Sequence, residues 1–363
     1  MYLARQLFVP AFLTLLLLGI IALWVAPATA PAGVTLPWTG QMAPASAADA
    51  AHTLPTNATA SVQAENAPAP GEGLAFALPG DLLRCFQSAY PGWARVAILL
   101  LLLVGGIALG RISVRSHLYG INTCLSLPLF GCFVLLLTGR DLSLPLVLAA
   151  TLLALSIKRF GESFRDGYSF DLLFRASFAL GCLLLVQPSA LPLLLLLPFG
   201  VLLFQRTRRE TVVALAGMLF AALLLCYANW SLGGSFLAPV LAIWEQFATG
   251  TIAGLFRSGF LPWMAVAGTI LLLDIGGIGS ISVNLYSVGA RARYILLFNI
   301  GVLVLCLALL CGPAATAGDA LLMAVPSSVL LPFLFVRTRA TLSSLLYVVF
   351  LLGAMLSLFV PLC

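Results

Sequence analysis

Apolar runs of about 17–22 residues follow one another along most of this chain, broken by short polar stretches, and each is long enough to cross a bilayer as a helix. The runs are continuous, as in Val96–Leu109 and Leu191–Phe204, where barrel strands would alternate and be shorter. Lipid offers the backbone no hydrogen bonds, so continuous runs of this length must be helices. The pattern predicts an all-α integral membrane protein, a bundle of about eleven transmembrane helices near 7–26, 95–111, 119–138, 142–157, 172–187, 190–205, 211–230, 259–276, 294–311, 320–336 and 341–361.

Polar positions between the runs orient the bundle. With the N-terminus in the cytoplasm, fourteen basic residues fall inside, among them Arg5, Arg115, Lys158, Arg206, Arg291 and Arg337. Four remain outside: Arg84, Arg95, Arg140 and Arg257. This asymmetry follows the positive-inside rule and puts the C-terminus outside. Phe236–Phe256 is apolar enough to span, but a crossing there would move Arg291 and Arg293 outward, so it reads as a helix in the outer interface.

Composition agrees. The chain is 62% hydrophobic and 8% charged, against roughly 25% charged in soluble domains. The net charge of +6 is no nucleic-acid signal, because the basic residues are spread among span ends without a run. The eight cysteines form no C-x-x-C pair, and most sit in apolar runs as small buried residues.

Three regions result. Residues 1–26 form an N-terminal anchor helix, with a signal peptide cut near Ala28-Thr29-Ala30 as the alternative. Residues 27–94 form an extracytoplasmic loop. Up to Pro70 it is rich in Ala, Pro, Thr, Ser and Asn, the composition of a disordered linker. From Gly71 it gains Leu74, Phe76, Leu82, Leu83 and Phe86, a short amphipathic juxtamembrane helix. Residues 95–363 form the polytopic domain, in which Lys158–Asp171 is the richest cytoplasmic loop.

Candidate chemistry is sparse. Asp274, placed near the inner end of the eighth span before Gly276-Gly277, is an intramembrane ionisable group and so a functional candidate for binding a cation or substrate. Asp81 and Glu245 are the weak catalytic candidates, since both lie where an enzyme acting on a lipid-linked sugar would hold a base. Arg159, Arg165 and Arg175 are candidates for an anionic lipid headgroup. The prolines in and near spans do not fall at matching places in two halves, as a transporter repeat would have them. Two histidines, His52 and His117, are too few for a four-histidine metal site. No H-E-x-x-H, Walker A or G-x-S-x-G motif occurs, so no metal site and no cofactor is expected.

Three stretches carry a likeness: Arg111–Thr123, Phe170–Gly217 and Ala324–Pro332 followed by Arg337. From Arg111 onward the order of features resembles a family of uncharacterised bacterial polytopic inner-membrane proteins, a domain of unknown function. That family is distantly similar to multi-span glycosyltransferase and polysaccharide-polymerase architectures. The resemblance implies a place in the cell envelope and transfers no catalytic residue. The long Pro27–Ala94 loop departs from it.

The sequence thus reads as a multi-pass protein of a bacterial inner membrane, a non-catalytic component of envelope (glycan or lipid) biogenesis. Its expected partners are the lipid bilayer, other envelope-biogenesis membrane proteins and lipid-linked glycan. Two alternatives stay open. One is a glycosyltransferase or polymerase using lipid-linked sugars at the outer face through Asp81 or Glu245. The other is a transporter or flippase, for which Asp274 should line a central, water-accessible cavity.

Overall fold

The structure is a computed structural model that describes residues 78–119, 123–138, 142–164, 168–248, 260–283, 289–312, 315–338 and 340–359. The first predicted span, the linker and Arg165 lie outside these. Among the described residues the secondary structure is helical without strands, and six helices are long and apolar enough to cross a membrane. The chain is an all-α, multi-helix membrane protein.

The helices are α1 Pro79–Ala89, α2 Pro91–Arg115, α3 Ser126–Thr138, α4 Leu144–Ser163, α5 Phe170–Val186, α6 Leu196–Leu203 and α7 Arg208–Ser231. They continue with α8 Ala238–Ala248, α9 Phe260–Val283, α10 Ala290–Leu310, α11 Ala324–Arg337 and α12 Ala340–Phe359. Two 3-10 segments, Pro188–Leu195 and Ala317–Met323, run directly into α6 and α11. Proline near the first turn starts α1, α2 and α4, where its missing N–H costs nothing. Thr207 with Glu210 and Thr316 with Asp319 form capping boxes that start α7 and the second 3-10 segment.

Contacts sort the helix ends into two layers. At one end Gln87 of α1 donates to the Leu142 carbonyl and accepts from the Leu144 N–H. There Gln187, after α5, meets Asp319. Phe86, Tyr90 and Trp93 stand exposed near this end, in the manner of an aromatic belt. At the other end the last turn of α4 gathers arginines from three further parts of the chain. Arg115 pairs with Glu162, Arg206 donates to the Ser163 carbonyl, and Arg291 donates to the Gly161 carbonyl at 3.4 Å. Cations suit the free carbonyls of a helix C-terminus.

Between these layers the core is apolar. Phe298 of α10 lies 5.4 Å from the Phe160 ring of α4 and 5.3 Å from Phe204 just past α6. Helices α5 and α7 run alongside each other through two glycines. A Cβ on Gly181 would stand 2.8 Å from that of Ala221, and one on Gly217 would stand 2.7 Å from the Phe174 carbonyl oxygen. Close approach at small residues is how membrane helices gain packing energy without a hydrophobic drive.

Several predicted boundaries shift. The third span begins at Ser126, because residues 116–119 are a turn with His117 at φ 47°. There Tyr119 is buried, its hydroxyl 2.8 Å from the Val329 carbonyl and 3.0 Å from Ser126 Oγ. Lys158, Arg159 and Glu162, expected in a loop, belong to α4, which runs on to Ser163. Of the apolar stretch around Glu245, Ala238–Ala248 forms α8, and residues 249–259 lie outside the described residues.

The prolines do match between two parts of the chain. Ala190, Pro192, Leu196, Leu197, Pro198 and Phe199 recur as Ala324, Pro326, Leu330, Leu331, Pro332 and Phe333, in identical register. The preceding helices share a second register: Leu172, Leu173, Phe174 and Cys182 recur as Leu296, Leu297, Phe298 and Cys306. In each unit an α-helix is followed by a 3-10 segment that continues as α-helix, although Pro192 lies in the 3-10 segment and its match Pro326 in the α-helix. A ten-residue difference in the connecting loop hides the repeat in the linear sequence.

Candidate functional site

Among the described residues four carboxylates lie in or against the bundle interior, and three are fully engaged. Asp319, 1% exposed, takes Gln187 Nε2 at 2.8 Å and Ser189 Oγ at 2.9 Å on one oxygen. Its other oxygen takes the Thr316 N–H at 2.7 Å and Thr316 Oγ1 at 2.9 Å. Glu210 accepts from the Ser169 N–H, the Thr207 N–H and hydroxyl, and the Arg206 guanidinium. Glu162 is shared by Arg115 at 3.3 Å and Arg159 at 3.1 Å. These three fix helix ends, and buried carboxylates satisfied in this way are structural ties.

Asp274 is different. It sits on α9 with 0% exposure, facing α11. Ser327 donates its hydroxyl to Oδ2 at 2.5 Å, while Oδ1 has no hydrogen-bond partner. Among the described residues no cation pairs with it. Asp274, expected near the inner end of its span, is followed by nine more residues of α9, which continues to Val283. The carboxylate therefore stands about 21 Å along the helix from Phe260 and about 14 Å from Val283, well inside the span. An uncompensated charge there is far costlier than one hydroxyl repays.

Both helices at this site are weakened nearby. Pro332 inside α11 cannot donate to the Ser328 carbonyl, and α11 follows a 3-10 segment only a few residues before Ser327. Just after Asp274, Gly276 and Gly279 have open space where a Cβ would go, so packing does not require them. Each glycine lowers helix stability by about 1 kcal/mol relative to alanine.

The other candidates lie apart. Asp81 is half exposed on α1, 3.4 Å from Arg84, and Glu245 is exposed on α8. Helix α1 packs on α2, α4 and α5, whereas α8 packs on α7 and the segment Pro188–Leu195, so the two carboxylates belong to different neighbourhoods. Arg175 pairs with Asp171 at 2.8 Å on the exposed first turns of α5. Arg159 joins Arg115 on Glu162. Sequence reasoning singled out neither Ser327 nor the three engaged carboxylates. Two of these, Thr207-x-x-Glu210 and Thr316-x-x-Asp319, carried a readable capping-box signal.

Comparison of the chain with protein-family models, with curated proteins and with solved structures finds no match.

Proposed function

We propose that the chain is an eleven-span protein of a bacterial inner membrane, N-terminus inside and C-terminus outside, that works as a proton-linked transporter or flippase for a lipid- or glycan-bearing cargo of the cell envelope. The observation that carries this reading is Asp274, an interior carboxylate with one hydroxyl partner and one open oxygen. To reside there it needs a positive partner, and a proton arriving from water is the smallest that fits. Intramembrane carboxylates mark proton and ion pathways in pumps and transporters. The repeated spans that open in 3-10 geometry support the same reading, since irregular helices in repeated units build transporter binding sites. Convergence of Arg115, Arg206 and Arg291 on one helix end supports the cytoplasmic assignment of that end.

The test is proton movement. Vesicles holding the full-length protein and an internal pH dye are given a pH gradient and a lipid-linked glycan extract. Wild-type protein speeds acidification, and Asp274→Asn does not. Equal rates for both proteins, at the rate of empty vesicles, reject the transporter reading.

A second reading, a non-catalytic component of envelope biogenesis, is favoured by Glu162, Glu210 and Asp319 all serving to hold helix ends. Co-purification of a stable membrane partner together with silent vesicles would select it.

A further inference from the structure

The exposed face of α2 changes character along its length. Val96, Leu100, Val104 and Ile107 recur every three or four residues and are all at least 40% exposed. The same stripe then continues as Arg111 and Arg115, also exposed. Helix α4 packs against α2 and brings its own basic turn to this end. Arg115 and Arg159 share Glu162, and Lys158 lies within electrostatic reach of Glu162, Arg111, Arg115 and Arg159. Arg115 and Arg159 thus share one carboxylate, with Lys158 beside it and Arg111 near Lys158, at the end of an apolar stripe. Half of the Arg115 side chain and a third of that of Arg159 stay open to solvent while bound to Glu162.

We infer that this corner of α2 and α4 is a binding site for one anionic phospholipid, its phosphate on Arg111, Arg115 and Arg159 and its acyl chains along Val96–Ile107. The shape of the site argues for a lipid over a soluble anion. The cationic group is continuous with a lipid-facing stripe on the same helix face, so headgroup and chains are both provided for. Guanidinium groups give a phosphate paired N–H donors, which a lone ammonium cannot. The surplus positive charge among the described residues is the other half of the argument, because one glutamate does not neutralise Arg111, Arg115, Lys158 and Arg159 and a phosphate on the exposed side offsets more of it. Basic groups between membrane helices at the cytoplasmic side recognise such headgroups. The site is separate from Asp274 and stands whether or not the protein transports anything.

Native mass spectrometry of the full-length protein, released from nanodiscs of equal phosphatidylglycerol and phosphatidylcholine, tests this. The wild type is expected to retain one phosphatidylglycerol in preference to phosphatidylcholine. Arg111→Gln and Arg159→Gln should each reduce that preference roughly fivefold, the effect of one basic residue near an anionic surface. Arg175→Gln, on a different helix and paired with Asp171, should leave it intact. Thermal unfolding of each variant in detergent separates lost binding from lost folding. Three results overturn the inference: no headgroup preference in the wild type, equal loss in Arg175→Gln, or complete displacement of the lipid by inorganic phosphate.

Discussion

Gln187 and Asp319, 132 residues apart, meet at 2.8 Å where the two repeated spans begin. Their contact ties the end of α5, just before Pro188, to the 3-10 segment Ala317–Met323 that leads into α11. Asp319 also carries the Thr316 cap and the Ser189 hydroxyl. Replacing it by alanine strands several buried donors at once. Asp319→Ala is expected to cost about 2–5 kcal/mol, since each buried donor left without an acceptor costs about 1–3 kcal/mol. Asp319→Asn should cost less, since it keeps one acceptor. Denaturant unfolding of the purified protein in detergent measures both. Equal stability of wild type and Asp319→Ala would show that the two units are not joined there.

Glu210 plays the matching part at the opposite end. It caps α7, bonds Ser169 before α5, and pairs with Arg206, whose side chain is only 8% exposed. Loss of the cap alone costs about 1 kcal/mol, and a stranded guanidinium adds to that. Glu210→Ala should therefore destabilise more than Thr207→Ala. The double variant with Arg206→Ala should be more stable than the sum of the two single losses predicts, because contacting charges couple. Additive losses would remove the pair from the account.

The α5–α7 seam makes a steric prediction. Gly217→Leu drives a side chain into the Phe174 carbonyl, which is backbone and cannot rotate away. It should destabilise strongly, by about 1–3 kcal/mol or more as overpacking does. Gly276→Ala, where a Cβ meets nothing within 4 Å, should be neutral or slightly stabilising. Thermal unfolding of the two variants side by side decides whether this seam is as tight as described.

Orientation has its own test. A reporter that fluoresces only in the cytoplasm should be bright when fused after Gln205 and dark when fused after Gly233, on either side of α7. The reverse pattern would invert the bundle.

Much of the fold was legible from apolar run length alone. Lipid imposes one solution on each such run, so helix positions followed from hydropathy. The third span was misjudged because Tyr119 looks apolar in a window but is spent on Val329 and Ser126 in the interior. The α4 terminus was misjudged because Lys158 and Arg159 look like loop residues. In the fold they are held on the helix, Arg159 by pairing with Glu162. The repeat escaped because its two registers differ across the loop before Asp319. Of the candidate site, Asp274 was legible as an ionisable group in an apolar run, though expected near the inner end of its span, whereas Ser327 was not. Serines are common in membrane helices, and only packing of α9 on α11 selects this one.

Infrared difference spectroscopy of the reconstituted protein through a pH titration examines the Asp274–Ser327 site most directly. The account predicts a carboxylic-acid carbonyl band that responds to pH, shifts in heavy water, is lost in Asp274→Asn and moves in Ser327→Ala. Spectra in which wild type and Asp274→Asn coincide at every pH would contradict it.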